Sequence, residues 1–230
     1  MKSDNMQKDV EREHGDGVVQ QVARYAEKTL GEEGFRYTSA VVANCRMLAI
    51  QQLDDESETR DGDETHEEID MDALVIAGYM HDISTVAYGY NDHQRESARM
   101  AVAFLQQQHY PQERIARVEQ AILQHATHTL AEQRATVPVE ARILYDADRL
   151  GRLSGLSVVT SLIEFGARYP DRAMTSEVLT AVLRHIEERF IDLYQSLYTE
   201  SAREMAREKF GKTLAFLDGV IEHISEATPI

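Results

Sequence analysis

His81 and Asp82 stand side by side at the end of an apolar run, in the stretch GYMHDIS that spans residues 78–84. Successive side chains on a helix sit ~100° apart, so the pair cannot share one buried apolar stripe. Three other stretches offer matching groups. NDHQRESARMA places His93 at the start of a helical pattern, and VEQAILQHATH sets His125 and His128 on one helix face. RILYDADRL supplies Asp146 and Asp148, which lie ~200° apart around a helix, so only one can face a shared site. Imidazole nitrogen combined with carboxylate oxygen suits a divalent transition metal (Mn, Fe, Co, Ni or Zn) better than calcium. Such an ion polarises a phosphoryl oxygen and lowers the pKa of bound water toward neutrality. A carboxylate beside a ligating histidine is placed to bridge two ions. Taken singly, each of these residues is an ordinary surface histidine or a solvated acid; it is their convergence that would make a site.

The elements that must position these groups are helices. GVVQQVARYAEKTLGEEG spaces Val18, Val22, Tyr25 and Leu30 at helical intervals, with Gly31 or Gly34 to end it. YTSAVVANCRMLAIQQL forms a second helix, with Val41, Cys45, Leu48 and Ile50 expected on its apolar face. An acidic run, DDESETRDGDETHEEID, follows and lacks the regular ligand spacing of a calcium hand. It reads as a solvated loop. A helix over about 71–83 carries the apolar run into His81-Asp82, and TVAYGYND reads as a loop. Asn91 or Asp92 can cap the next helix, to about Gln108. Pro111 suits the first turn of the helix that carries His125. Pro138 opens another, bent near Gly151 or Gly155, and two more span about 175–194 and 199–224. For the last of these Ser201 and Glu204 form a possible capping box. No period-2 strand is evident. The expectation is an all-α chain of about eight or nine helices, with a polar tail over 1–17, one domain over 18–224, an acidic insertion over 54–69 and a short tail over 225–230.

Composition narrows the function classes. With 40 acidic against 24 basic side chains the formal net charge is −16, which argues against nucleic-acid polymers and anionic membranes as partners. No stretch reaches the ~18 consecutive apolar residues of a membrane span, and the polar start lacks a signal-peptide core. The single cysteine, Cys45, permits neither an internal disulfide nor a thiolate cluster. The cytoplasm is the expected compartment. An anionic substrate would need a cation or local arginines to offset the field, and the 19 arginines against 5 lysines suit planar phosphate contacts.

In this order, ALVIAGYMHDIS, HQRESARMA, AILQHATH and ARILYDADRL resemble the HD superfamily of metal-dependent phosphohydrolases, and the C-terminal stretch LYTESAREMAREKFGKTLAFLDGVIE resembles its small stand-alone bacterial members. The resemblance runs from about residue 18 to 224 and implies a single all-α HD-type domain. It also implies a ligand set: His81 and Asp82 as the pair that names the family, Asp148 as the distant aspartate, and His93 and His125 for members that hold a second ion. One ligand is missing. The family's first histidine should fall in GFRYTSAVVANC, yet no histidine occurs between His14 and His66, and its place is held by Tyr37, Thr38, Ser39, Ala40 or Val41. Thr85 stands where some nucleotidase members have glutamate, and Gly151 where many relatives have a second aspartate.

The implied activity is metal-dependent hydrolysis of a small phosphate ester, a nucleotide being the natural candidate, through metal-bound hydroxide at one or two ions. His81 and Asp82 would be central, and Arg149 or Arg152 would contact phosphate. A homo-oligomer is compatible with this reading. The alternative is a degenerate, non-catalytic member that binds a metal or nucleotide or acts by oligomeric interaction.

Overall fold

In the computed structural model the described residues are 2–58, 68–89, 91–126, 136–153, 155–173 and 175–226. They are all helix and connection, with eight helices of ten residues or more and one four-residue turn: α1 (Lys2–Glu58), α2 (Met71–Met80), α3 (Thr85–Tyr88), α4 (His93–Gln107), α5 (Gln112–Gln124), α6 (Val139–Arg152), α7 (Gly155–Arg168), α8 (Ser176–Ser196) and α9 (Glu200–Glu226). They cluster into two compact units, residues 1–148 and 149–230.

α1 is two helices joined at Gly31, whose φ of 72° belongs to the left-handed side that glycine enters without a Cβ penalty. Helix also covers 2–17, the stretch set apart as a polar tail, and continues through 54–58 of the acidic run. Residues 59–67 of that run lie outside the described residues, and 68–70 are non-helical and lead into α2.

In the first unit α2 is the central element. Ala73, Leu74, Val75, Ile76, Ala77 and Met80 are all buried, so the helix is covered all round rather than along one stripe. At its N-terminus the Asp70 carboxylate accepts from Ala73 N–H at 3.1 Å, and Arg114 of α5 reaches Asp70 at 2.8 Å and Asp72 at 3.1 Å. Glu140 of α6 accepts from Asp70 N–H at 3.0 Å and from Arg117 at 3.1 Å. Two helices, α5 and α6, therefore grip one end of α2, while the other end delivers His81.

Gly78 allows α1 to lie against α2. A Cβ there would stand 2.8 Å from Val42 Cγ2 and 3.6 Å from Val42 Cα. Valine is stiff at χ1, so it cannot swing aside. Gly78→Ala gains ~1 kcal/mol of helix propensity, yet overpacking of about 1–3 kcal/mol outweighs it. We expect a melting temperature lower by a few degrees. A variant at least as stable as the parent would show that α1 and α2 have room to part.

Several connections differ from the sequence reading. Residues 85–88, read as loop, form the α3 turn, with Gly89 at φ 67° closing it. Asp92 precedes α4 in a left-handed conformation without a side-chain cap bond. Pro111 sits at the N-cap of α5 rather than inside its first turn. The break after α6 falls between Arg152 and Gly155, as the two glycines suggested. In the second unit α8 and α9 form a hairpin, with Tyr194 and Phe210 stacked at 4.3 Å. The cap of α9 is Thr199, whose Oγ1 accepts from Ala202 N–H at 3.2 Å; Ser201 already lies inside the helix and cannot serve.

Candidate functional site

The His81-Asp82 pair occupies the turn that ends α2. Ile83 N–H donates to the Met80 carbonyl at 3.2 Å, and the Thr85 N–H and hydroxyl donate to the Asp82 carbonyl at 3.0 and 2.7 Å. Chain direction changes there, which is why two ionisable groups can follow an apolar helix. Two serines tie this turn to α4: Ser84 N–H donates to Ser97 Oγ at 3.2 Å, Ser97 Oγ donates to Ser84 Oγ at 3.0 Å, and Ser84 Oγ donates to the His93 carbonyl at 3.1 Å. The first residue of α4 is thereby held beside Asp82.

His81, Asp82 and His125 present ligand atoms all within 4.8 Å of one another, and all three residues are buried. Asp82 turns one oxygen to each of two histidines: Oδ2 is 3.5 Å from His81 Nε2, and Oδ1 is 3.4 Å from His93 Nε2. Asp148 enters from α6 with Oδ1 3.8 Å from His81 Nε2. The ring centroids of His81 and His125 are 5.1 Å apart, and those of His93 and His125 are 5.8 Å apart. His81, Asp82, His93, His125 and Asp148 thus come together, from the α2 turn, α4, the end of α5, and α6. Asp146 is also fully buried, but the described approach to His81 is made by Asp148. Arg149 and Arg152 lie in the last turn of α6, at the start of the second unit. His128 lies outside the described residues.

Tautomers follow from the hydrogen bonds. A carbonyl oxygen can only accept, so His81 Nδ1 donates to the Gly78 carbonyl at 2.8 Å and His125 Nδ1 to the Ile122 carbonyl at 2.6 Å. In both rings Nε2 is left to face the cluster, the arrangement by which backbone carbonyls orient metal-binding histidines. His81 Nε2 and Asp82 Oδ1 are buried and make no hydrogen bond. Burial opposes a charge on His81, yet the Asp82 carboxylate, and then that of Asp148, outweigh it and hold this imidazole above its ordinary pKa. His125 goes the other way: burial first, then the charge of His81, push it down to about 3, so it is a neutral nitrogen donor at physiological pH. Two orphaned buried atoms and a compact nitrogen–oxygen set fit a divalent cation.

The positioning residues had weak signals in the sequence. Ser84 and Ser97 are small polar residues at buried positions, and Ser97 is legible only as one turn beyond His93 on the same helix face. Asn44 Nδ2 donates to the Ala147 carbonyl at 3.1 Å and Tyr37 Oη donates to Asp148 Oδ1 at 2.5 Å, each holding α1 to α6. Of the five residues that could hold the missing histidine's place, Tyr37 is the one with a described hydrogen bond into the cluster. The Thr38 hydroxyl turns back to the Phe35 carbonyl, and Ala40 is exposed.

The family model for the HD domain matches residues 22–153, more than half of the chain. The chain belongs to the HD-domain family. That match takes in all five clustered residues. Solved structures of similar fold include an HD-superfamily hydrolase from Bacillus thuringiensis (15% identity, covering 93% of this chain and 100% of that one, TM-score 0.66). They also include Bacillus subtilis YpgQ in complex with ADP (16% identity, 93% and 96%, TM-score 0.61) and a predicted HD-superfamily hydrolase from an uncultured Thermotogales bacterium (19% identity, 89% and 90%, TM-score 0.54). No curated protein matches the chain. At these identities the neighbours establish the HD fold, which agrees with the all-α reading, and leave the substrate to the chemistry of the site. Among the described residues no helix is long and apolar enough to cross a membrane.

Proposed function

We propose that this HD domain is a metal-dependent phosphohydrolase acting on a small phosphate ester, a nucleotide being the preferred class. The observation that carries the reading is the buried cluster of His81, Asp82 and His125, with Asp148 3.8 Å and His93 3.4 Å from its members. The resemblance assigned His125 to a second ion, but its ligand nitrogen groups within 4.8 Å of those of His81 and Asp82, so His81, Asp82, His125 and Asp148 would hold one divalent ion. Because its two oxygens face different histidines, Asp82 can also serve a second ion together with His93. Bound there, a transition-metal ion supplies Lewis-acid activation of water and polarisation of the phosphoryl oxygen.

The chain's own residues set the conditions for that chemistry. The carbonyls of Gly78 and Ile122 fix both rings with Nε2 inward. Asp82 and Asp148 provide the negative potential that draws a cation into a buried place, and the cation offsets the chain's −16 charge for an anionic substrate. Arg149 and Arg152 follow Asp148 on α6 and are the proposed phosphate contacts. The ADP held by the similar YpgQ favours the nucleotide class.

One observation favours the alternative, a non-catalytic HD domain that binds metal or nucleotide. A tyrosine, not a nitrogen ligand, meets Asp148 from the stretch that lacks histidine. Elemental analysis of the purified protein, with phosphate release measured on a panel of esters and nucleotides in added Mn²⁺, Co²⁺ or Ni²⁺, separates the two. Metal-stimulated release that is lost in Asp82→Ala is expected. Bound metal without release from any ester would favour the non-catalytic reading.

A further inference from the structure

We propose that Tyr37 is a positioning residue for the metal site: its hydroxyl fixes the Asp148 carboxylate in the orientation that faces His81. This rests on the reading of His81, Asp82 and His125 as a metal centre and adds to it a residue outside the ligand set. The Tyr37 hydroxyl donates to Asp148 Oδ1 at 2.5 Å, and that same oxygen is the one 3.8 Å from His81 Nε2. The tyrosine ring stands 6.5 Å from the His81 ring, so it borders the cluster directly.

A second contact shows that the placement is built rather than incidental. Tyr37 and Asn44 are seven residues apart on α1, on one face of the helix. They donate to consecutive residues of α6, Tyr37 to the Asp148 side chain and Asn44 to the Ala147 carbonyl. Between them on α1, Val41 is fully buried. Asn44 sets where the α6 backbone lies, and Tyr37 sets which way the carboxylate of the next residue turns. An aspartate has two side-chain torsions, and the bond from the Tyr37 hydroxyl favours those that keep Oδ1 toward His81. A neutral phenol is a poor ligand but a good donor. It leaves the charge on Asp148 and still orients it. Hydrogen-bond partners of metal-binding carboxylates commonly act in this way.

Titration of metal-stripped protein with Mn²⁺ or Co²⁺ tests this, using the parent, Tyr37→Phe, Tyr37→His and Asp82→Ala. Tyr37→Phe keeps the ring and its packing, so the metal-free melting temperature should change little. Its metal affinity should fall about 10–100-fold, and the visible absorption of the Co²⁺ form should change. Tyr37→His should bind more tightly than Tyr37→Phe, because an imidazole there offers a nitrogen to the ion. A tyrosine serving structure alone would lower the melting temperature and leave the affinity within twofold of the parent, and that result would overturn the proposal. Equal affinities for the phenylalanine and histidine variants, both about 10–100-fold below the parent, would still support a role exerted through Asp148 alone. A parent that binds no more tightly than Asp82→Ala would instead defeat the metal-site reading, and the role of Tyr37 with it.

Discussion

Asp82→Ala should lower the affinity for Mn²⁺ or Co²⁺ by at least ~1,000-fold, about 4 kcal/mol of binding free energy. Loss of a residue that merely orients a ligand commonly costs 10–100-fold, and Asp82 is placed to do more than orient. Its two oxygens lie 3.5 and 3.4 Å from the imidazoles of His81 and His93, and one of them is buried with no hydrogen bond. Removing it takes away a ligand atom, a full negative charge, and the nearest carboxylate to His81. Asp82→Asn, which keeps shape and loses charge, should fall between alanine and the parent. Equilibrium dialysis with elemental analysis measures this directly. An affinity within tenfold of the parent would show that the ion, if bound, lies elsewhere.

The second large effect concerns acid. Metal-free protein should lose stability as pH falls from ~6.5 toward 3, by up to about 4 kcal/mol from His125 alone. The sign follows from the two states. In the unfolded chain His125 takes up its proton near pH 6.5. In the fold, burial and then the charge of His81 hold its pKa down to about 3. Its contribution is complete above the unfolded value and is lost as pH falls through the window between the two. His81 has the opposite sign. Its raised pKa gives stabilisation that is complete below ~6.5 and is lost as pH rises through the folded value, so it does not produce the acid limb. Denaturant unfolding of the parent and of His125→Gln, each at several pH values between 7 and 4, checks this. The advantage of neutral pH should be smaller in the variant. Parallel curves would mean that His125 is protonated in the fold near its ordinary pKa.

Much of this architecture is legible in the residue order, because helical periodicity and an apolar run ending in two ionisable residues are local signals. The α2 run, the break between α6 and α7, and the long C-terminal helices all follow from side-chain spacing and glycine placement. The candidate ligands are legible as residue types, since histidine and aspartate at the ends of helical segments are conspicuous. The grip on them is not. Ser84 and Ser97 act through a buried hydroxyl pair that no periodicity marks. Tyr37 lies 111 residues from Asp148 along the chain, and only the docking of α1 on α6 joins them. Caps fail for a related reason: Thr199 and Ser201 are chemically close, and which one caps α9 depends on where the α8–α9 connection turns. That turn is held by Arg203, which donates to the Leu197 and Tyr198 carbonyls at 2.9 and 3.3 Å.

Anomalous diffraction at the manganese or cobalt edge, from crystals of the metal-loaded protein, tests the central claim most directly. A peak is expected at ~2.0–2.2 Å from His81 Nε2 and His125 Nε2, with an Asp82 oxygen at a similar distance. A second, weaker peak between the other Asp82 oxygen and His93 would fit the two-ion form. A peak only at surface acids, or none while both imidazoles keep Nε2 turned inward, would contradict it.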